Sequence, residues 1–166
     1  MHRIIESVDS DITIYSAGAM SKEEIDACLT LIQQGGAVDI ASAARELPLA
    51  HVAVVRDDRE IVGVGAIKRT RPDYASRISQ RSAFDLDKDT RELGYMVIKE
   101  SHRGCGLSKK ITAKLMSDFA DRPIFATTSN DKMKRTLQNA GFVRHGEEWA
   151  GNAGQMLSLW ICCEGR

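Results

Sequence analysis

The chain reads as a mixed α/β fold, a sheet with helices on both faces, and three observations predict it. Continuous or alternating apolar runs at 51–55, 61–67 and 124–127 have the composition of strands. Between such runs lie stretches whose apolar residues recur at helical spacing, most plainly Leu107, Ile111, Leu115 and Phe119. The breaks between the two kinds of segment carry capping residues, glycine or proline, the punctuation that starts and stops helices.

The elements follow in order. Ile12 to Tyr15 opens as a strand. Ser21 and Glu24 are spaced as a capping box for a helix with Ile25, Cys28, Leu29 and Ile32 on one face, and Gly35-Gly36 stops it. Asp39 caps a second short helix that ends at Pro48. The strands at 51–55 and 61–67 join through Asp57-Asp58 as a hairpin. Lys68, Arg69, Arg71, Arg77 and Arg81 then precede Asp85, Asp87 and Asp89, a stretch that reads as a solvated loop with local ion pairs, with a substrate-selecting lid as the alternative. A strand runs from Glu92 to Ile98, a helix covers 106–120 and a strand covers 124–127. The cluster Ser129-Asn130-Asp131 caps a helix that presents Met133 and Leu137 and stops at Gly141. Strands at 142–149 and 156–162 close the chain. The predicted order is β-α-α-β-β-β-α-β-α-β-β, in one domain over residues 1–166 without repeats or linkers.

Composition bounds the function. A chain of 166 residues can bury a core without disulfides. The balance of 23 basic and 23 acidic side chains sets up no global field for nucleic acid or an anionic membrane, and neither is expected as a partner. No apolar run is long enough for a membrane span, and the opening Met1 to Glu6 lacks the pattern of a signal peptide, so the cytoplasm is the expected location. Cys28, Cys105, Cys162 and Cys163 show neither a C-x-x-C pair nor histidine spacing for zinc, so reduced thiols and no metal are expected. His51 and His145 read as a sheet-end residue and an exposed strand residue; Trp149 and Trp160 pack the sheet or an association surface.

The chemistry concentrates between Glu92 and Lys109. Gly104 and Gly106 permit backbone angles that a Cβ forbids. The helix that follows opens with amide hydrogens lacking intrahelical partners, and with the aligned peptide dipoles and Arg103 they make a cradle for a diphosphate. The spelling is not that of a Walker loop, and Lys109 stands where a dinucleotide fingerprint needs its third glycine. It fits R-x-x-G-x-[GA] over Arg103 to Ser108, with Ser108 in the last small position.

This motif, the E-L-G-x-x-V pattern from Glu92 and the N-x-x-x-x-x-x-x-x-x-x-G-F pattern from Asn130 to Phe142 resemble the acetyl-CoA-binding signature of the GNAT (GCN5-related) N-acetyltransferase family. The resemblance covers nearly the whole chain. It implies a mostly antiparallel central sheet whose fourth and fifth strands splay to admit the pantetheine arm of acetyl-CoA as cosubstrate. Backbone groups of Met96, Val97 and Ile98 would pair with that arm. Amides of Arg103, Gly104, Cys105, Gly106, Leu107 and Ser108 would hold the diphosphate, Arg103 and Lys109 would add charge, and Asn130 would meet the pantetheine or phosphate region. A backbone N–H near Met96 or Val97 would stabilise charge on the carbonyl oxygen. Glu92 would act as general base through a water, with a surface carboxylate at a strand edge as the alternative. Tyr95 is expected on the strand face opposite Glu92.

Two departures stand out. Met133 replaces a small residue, and Leu137 stands where many members carry the tyrosine that protonates the leaving thiolate. Ser129 and His102 are weak substitutes, each with a plainer reading, as a helix cap and a solvent-facing turn residue. Cys105 reads as a small residue whose amide matters, with a mixed disulfide to the cofactor thiol as the alternative. The implied activity is transfer of acetyl from acetyl-CoA to a primary amine of a small molecule or protein. A noncatalytic acyl-CoA-binding regulator is the alternative, and a homodimer stays open.

Overall fold

Local capping chemistry sets most of the element boundaries. The computed structural model describes residues 12–36, 39–119 and 122–162. The opening stretch 1–6, the expected helix end at Ala120 and Cys163 lie outside them. In chain order the elements are β1 (Ile12–Tyr15), α1 (Lys22–Gly35), α2 (Ile40–Glu46), β2 (His51–Asp57), β3 (Glu60–Lys68), α3 (Pro72–Ser82), β4 (Arg91–Ile98), α4 (Leu107–Asp118), β5 (Ile124–Thr128), α5 (Asp131–Asn139), β6 (Val143–Ala150) and β7 (Met156–Cys162). Short 3-10 turns occupy Leu47–Leu49 and Glu100–His102. The strands form a seven-stranded sheet in the order β1-β2-β3-β4-β5-β7-β6. The β1–β2, β2–β3, β5–β7 and β6–β7 pairs are antiparallel and β4–β5 is parallel. Among the described residues no helix is long and apolar enough to cross a membrane.

The described chain divides into two compact units, with β4 contributing to both. The first contains the described residues up to Lys68 together with Gly94–Asp118. Its α1 begins as expected: the Ser21 hydroxyl accepts from the Glu24 amide, and the Glu24 carboxylate accepts from the Ser21 amide. Gly36 ends the helix at φ 73°. Cys28, Leu31 and Ile32 then pack with Val52, Val54, Val64, Ala66 and Tyr95. Each large apolar side chain buried there contributes about 1.5–3 kcal/mol.

The opposite face of the same strands is built differently. Gly63 and Gly65 leave room for Ile111 of α4: a Cβ on Gly65 would lie 2.7 Å from Ile111 Cγ2 and 2.9 Å from Met96 Cε. The β2–β3 hairpin turns through Asp58 and Arg59, both at positive φ (52° and 74°), as a two-residue hairpin requires. A register shift at Val55/Arg56 aims Arg56 at Glu24 (2.6 Å) and the Tyr15 hydroxyl (2.8 Å), tying the strands to α1.

The second unit holds Arg69–Leu93 and the described residues from Phe119. Here the expectation of a charged loop is corrected. Most of the stretch is α3, which starts with Pro72 in its first turn and buries Ala75 and Ile78 against Leu86, Phe125, Trp149, Leu159 and Ile161. The observed order therefore has a helix between β3 and β4 instead of three consecutive strands. The expected ion pairing is present on the exposed side of that helix, where Asp73 meets Arg71 and Arg77 at 3.9 and 4.0 Å. His145 is also corrected: it is half-buried, its ring 4.8 Å from that of Phe84. Both tryptophans are buried, and Trp160 Nε1 donates to Ser158 Oγ.

Two predictions follow from this packing. Gly65→Ala overpacks the Ile111 contact and lowers stability by about 1–3 kcal/mol, read from the urea midpoint; an unchanged midpoint refutes the close approach. The Glu24 carboxyl is held at about 2, below its ordinary 4.5, first by the Tyr15 hydroxyl and then by the Ser21 amide. A lowered carboxyl pKa stabilises above the ordinary value and stops doing so as pH falls through the folded one. The stability gap between wild type and Glu24→Gln, about 1 kcal/mol near neutrality, should shrink below pH 4.5 and vanish below about 2; a gap independent of pH contradicts this.

Candidate functional site

In the first unit β4 ends in a turn braced from several sides. The Lys99 amide donates to the Val62 carbonyl at 2.7 Å, and Lys99 pairs with Glu60. His102 is not the solvent-facing residue its position suggested: its Nε2 lies 2.7 Å from Asp57 Oδ2 and its Nδ1 2.8 Å from Ser101 Oγ. Arg103 Nε donates to the Ile98 carbonyl at 2.9 Å, which holds the guanidinium at the strand end.

The chain then passes Gly104 at φ 84° and Gly106 at φ 75°. A side chain at either would be strained, and the space a Cβ would enter is open to a ligand. The Gly106 carbonyl accepts from the Lys110 amide, so α4 starts here, one residue later than expected. Glycine has no side chain to cap with. By helix geometry the amides of Leu107, Ser108 and Lys109 lack intrahelical acceptors and carry the positive end of the dipole. Buried Leu107, Ile111, Thr112, Leu115 and Met116 pin the helix, which leaves its N-terminus as the reactive end. Cys105 is half-buried within the turn. The arrangement is suited to an anion with several oxygens, of which a diphosphate is the natural example.

Upstream, the side chains of Met96, Val97 and Ile98 serve the core: Met96 lies against Gly65, Val97 against Gly35 and Ile98 against Gly63. What these residues can offer a ligand is therefore mainly backbone. Tyr95 sits in the strand at φ 54° while its side chain is buried. A bulky residue in the left-handed region is an outlier that surrounding contacts must hold in place, and it breaks the run of extended backbone angles along β4.

In the second unit Glu92 pairs through β4 with Phe125 of β5 and is only 6% exposed, so it is a buried carboxyl and not a surface one. Its Oε2 accepts from the Tyr74 hydroxyl at 3.3 Å. Tyr74 comes from α3, in the stretch whose charges predict a loop, and it rests near Phe125 with ring centroids 6.5 Å apart. Its place before Ala75 and Ile78, just after Pro72, was the available signal.

Asn130 caps α5 with its side-chain oxygen, accepting from the Met133 amide at 3.0 Å, while its own amide donates to Thr128 Oγ1. Leu137 is fully buried core and offers no proton. Met96, Val97, Ile98 and Arg103 to Lys109 thus lie together in the first unit; Glu92 and Asn130 belong to the second. Among the described residues no group of three or more His, Cys, Asp or Glu side chains is arranged to hold a metal ion.

Comparison with known proteins supplies the lineage. A search of curated proteins finds no match. Among solved structures, a GNAT-family acetyltransferase from Streptococcus agalactiae is 15% identical with a TM-score of 0.68, covering 93% of this chain and 96% of that one. An acyl-CoA N-acyltransferase from Pseudomonas aeruginosa is 13% identical with a TM-score of 0.69, covering 92% and 99%. RimL, a ribosomal L7/L12 α-N-protein acetyltransferase solved with coenzyme A in disulfide linkage to a cysteine, is 12% identical with a TM-score of 0.61, covering 93% and 94%. The model of the Acetyltransferase (GNAT) family matches residues 21–142, from the first helix cap through the phosphate-type turn to the Gly141-Phe142 stop, and the chain belongs to that family.

Proposed function

We propose that this protein transfers an acetyl group from acetyl-CoA directly to a primary amine of a small molecule or protein. The observation that carries the reading is the turn at Gly104 and Gly106, open where side chains would stand and leading into a pinned helix N-terminus. The coenzyme A seen with RimL, a protein of the same fold, supports it. The cysteines at 28, 105 and 162 are free thiols, which suits a reducing cytoplasm.

In this reading acetyl-CoA supplies an activated thioester, and the protein's own groups do the rest. Amides from Arg103 to Ser108 bind the diphosphate, with Arg103 and Lys109 adding charge. The main chain of Met96, Val97 and Ile98 pairs with the pantetheine amides as an added strand would. A backbone amide at Met96 or Val97, of which Met96 directly follows the left-handed Tyr95, donates to the carbonyl oxygen as negative charge develops there. The amine nitrogen bonds to the carbonyl carbon as the carbon–sulfur bond breaks. Glu92 takes the proton that the amine sheds, through a water. Water protonates the departing thiolate, since position 137 supplies no hydroxyl. Asn130, engaged as a cap through its oxygen, meets the pantetheine or phosphate region through its amide nitrogen.

Two substitutions test these roles. Gly106→Trp fills the open space and should weaken coenzyme A at least about 100-fold, or about 3 kcal/mol, by calorimetry, with the circular dichroism retained; unchanged affinity moves the site elsewhere. Glu92→Gln should lower turnover about 100-fold at neutral pH and recover as pH rises and the amine loses its own proton, read as thiol release across a panel of polyamines, aminoglycosides, amino acids and peptides. A mutant-to-wild-type ratio that stays flat with pH removes Glu92 as base. Binding without turnover on any amine favours a noncatalytic acyl-CoA-binding protein.

A further inference from the structure

The left-handed residue in β4 has an anchor, and the anchor comes from outside the strand. The Tyr95 hydroxyl donates to Glu46 Oε1 at 2.5 Å, from the last residue of α2. Lys68, the last residue of β3, donates to the same oxygen at 3.0 Å and places its ammonium 4.2 Å from the centre of the Tyr95 ring. Two other elements of the first unit, α2 and β3, therefore converge on one side chain of β4, and that side chain belongs to the residue with φ 54°. Rotation of φ toward the extended range would swing the Cα–Cβ bond, pulling the hydroxyl off Glu46 and the ring from beside Lys68. Backbone angle and side-chain network are thus one coupled unit, the condition under which a strained residue persists.

We propose that Glu46 and Lys68, acting through the Tyr95 hydroxyl, are positioning residues that lock the bend of β4 and so aim the Met96 amide at the acyl carbonyl. This rests on the acyl-CoA reading above. Burial first, and the hydrogen bond to Glu46 second, push the Tyr95 phenol up to about 12, so the hydroxyl stays a donor throughout the range in which an amine can react. The lysine balances the charge of the carboxylate and packs on the ring face. Both residues stand outside the 103–109 segment proposed to hold the diphosphate, so binding and carbonyl polarisation should separate on substitution.

The experiment uses the full chain and acetyl-CoA labelled with carbon-13 at the carbonyl, read by isotope-edited infrared spectroscopy alongside calorimetry. Wild type should bind and shift the carbonyl band downward. Tyr95→Phe keeps the ring and should bind within about twofold while the band returns toward its free position, and acyl transfer should fall at least about tenfold. Glu46→Ala should behave likewise, and Glu46→Gln, which retains an acceptor oxygen, should restore most of the band shift. Tyr95→Phe with the wild-type band overturns the inference, whether or not its urea midpoint falls, because a network that only stabilises the fold would change the midpoint alone. A wild-type carbonyl band unmoved on binding also overturns it while leaving the acyl-CoA reading intact. Failure of wild type to bind acetyl-CoA removes both.

Discussion

Ile111 comes down on β3 at the two places where the strand has no Cβ, and the proposed binding geometry depends on that contact. With Gly63 and Gly65 beneath it, α4 sits closer to the strands than side chains of ordinary size would allow. Residues 99–106 join the end of β4 to the start of α4, and within that connection Gly104 and Gly106 supply left-handed angles that a side chain would resist. Lys99, His102 and Arg103 then fasten the connection to Val62, Asp57 and Ile98. The amides of the helix start are oriented before any ligand arrives, which is what makes fixed dipoles effective.

Main chain and side chains divide the work in the first unit. Met96, Val97 and Ile98 spend their side chains on glycine-floored contacts, so their sequence is read by the core, and the proposed recognition falls to their backbone. This explains how a fold can recur at 12–15% identity: the requirements bear on backbone angles, small residues and burial more than on particular functional side chains. Charged groups act where the backbone needs bracing, as Arg56 does between Tyr15 and Glu24 and as Lys68 does beside Tyr95.

Most elements were legible because their boundaries are local. The Ser21–Glu24 box, the Asp39 and Asn130 caps, the left-handed stops at Gly36 and Gly141 and the hairpin after Asp57 each involve residues a few positions apart. The helix α3 escapes a local reading because its few apolar residues, Tyr74, Ala75 and Ile78, stand among charged and polar ones, and the stripe they form is meaningful only against Phe125, Trp149 and Leu159, far along the chain. The same reason hid Tyr74 as the partner of Glu92. His145 reads as exposed from its polar strand because Phe84, whose ring packs against it, lies 61 positions earlier in the chain.

By itself the sequence determined the strand, turn and helix around Gly104 and Gly106, because glycine angles and helix starts are decided by immediate neighbours. Only the tertiary structure decided the bend at Tyr95, the burial of Glu92 and the restraint of His102. Their partners stand 49, 18 and 45 positions away, and no local rule connects a hydroxyl, a carboxyl or an imidazole to a group that reaches it only when the chain has packed.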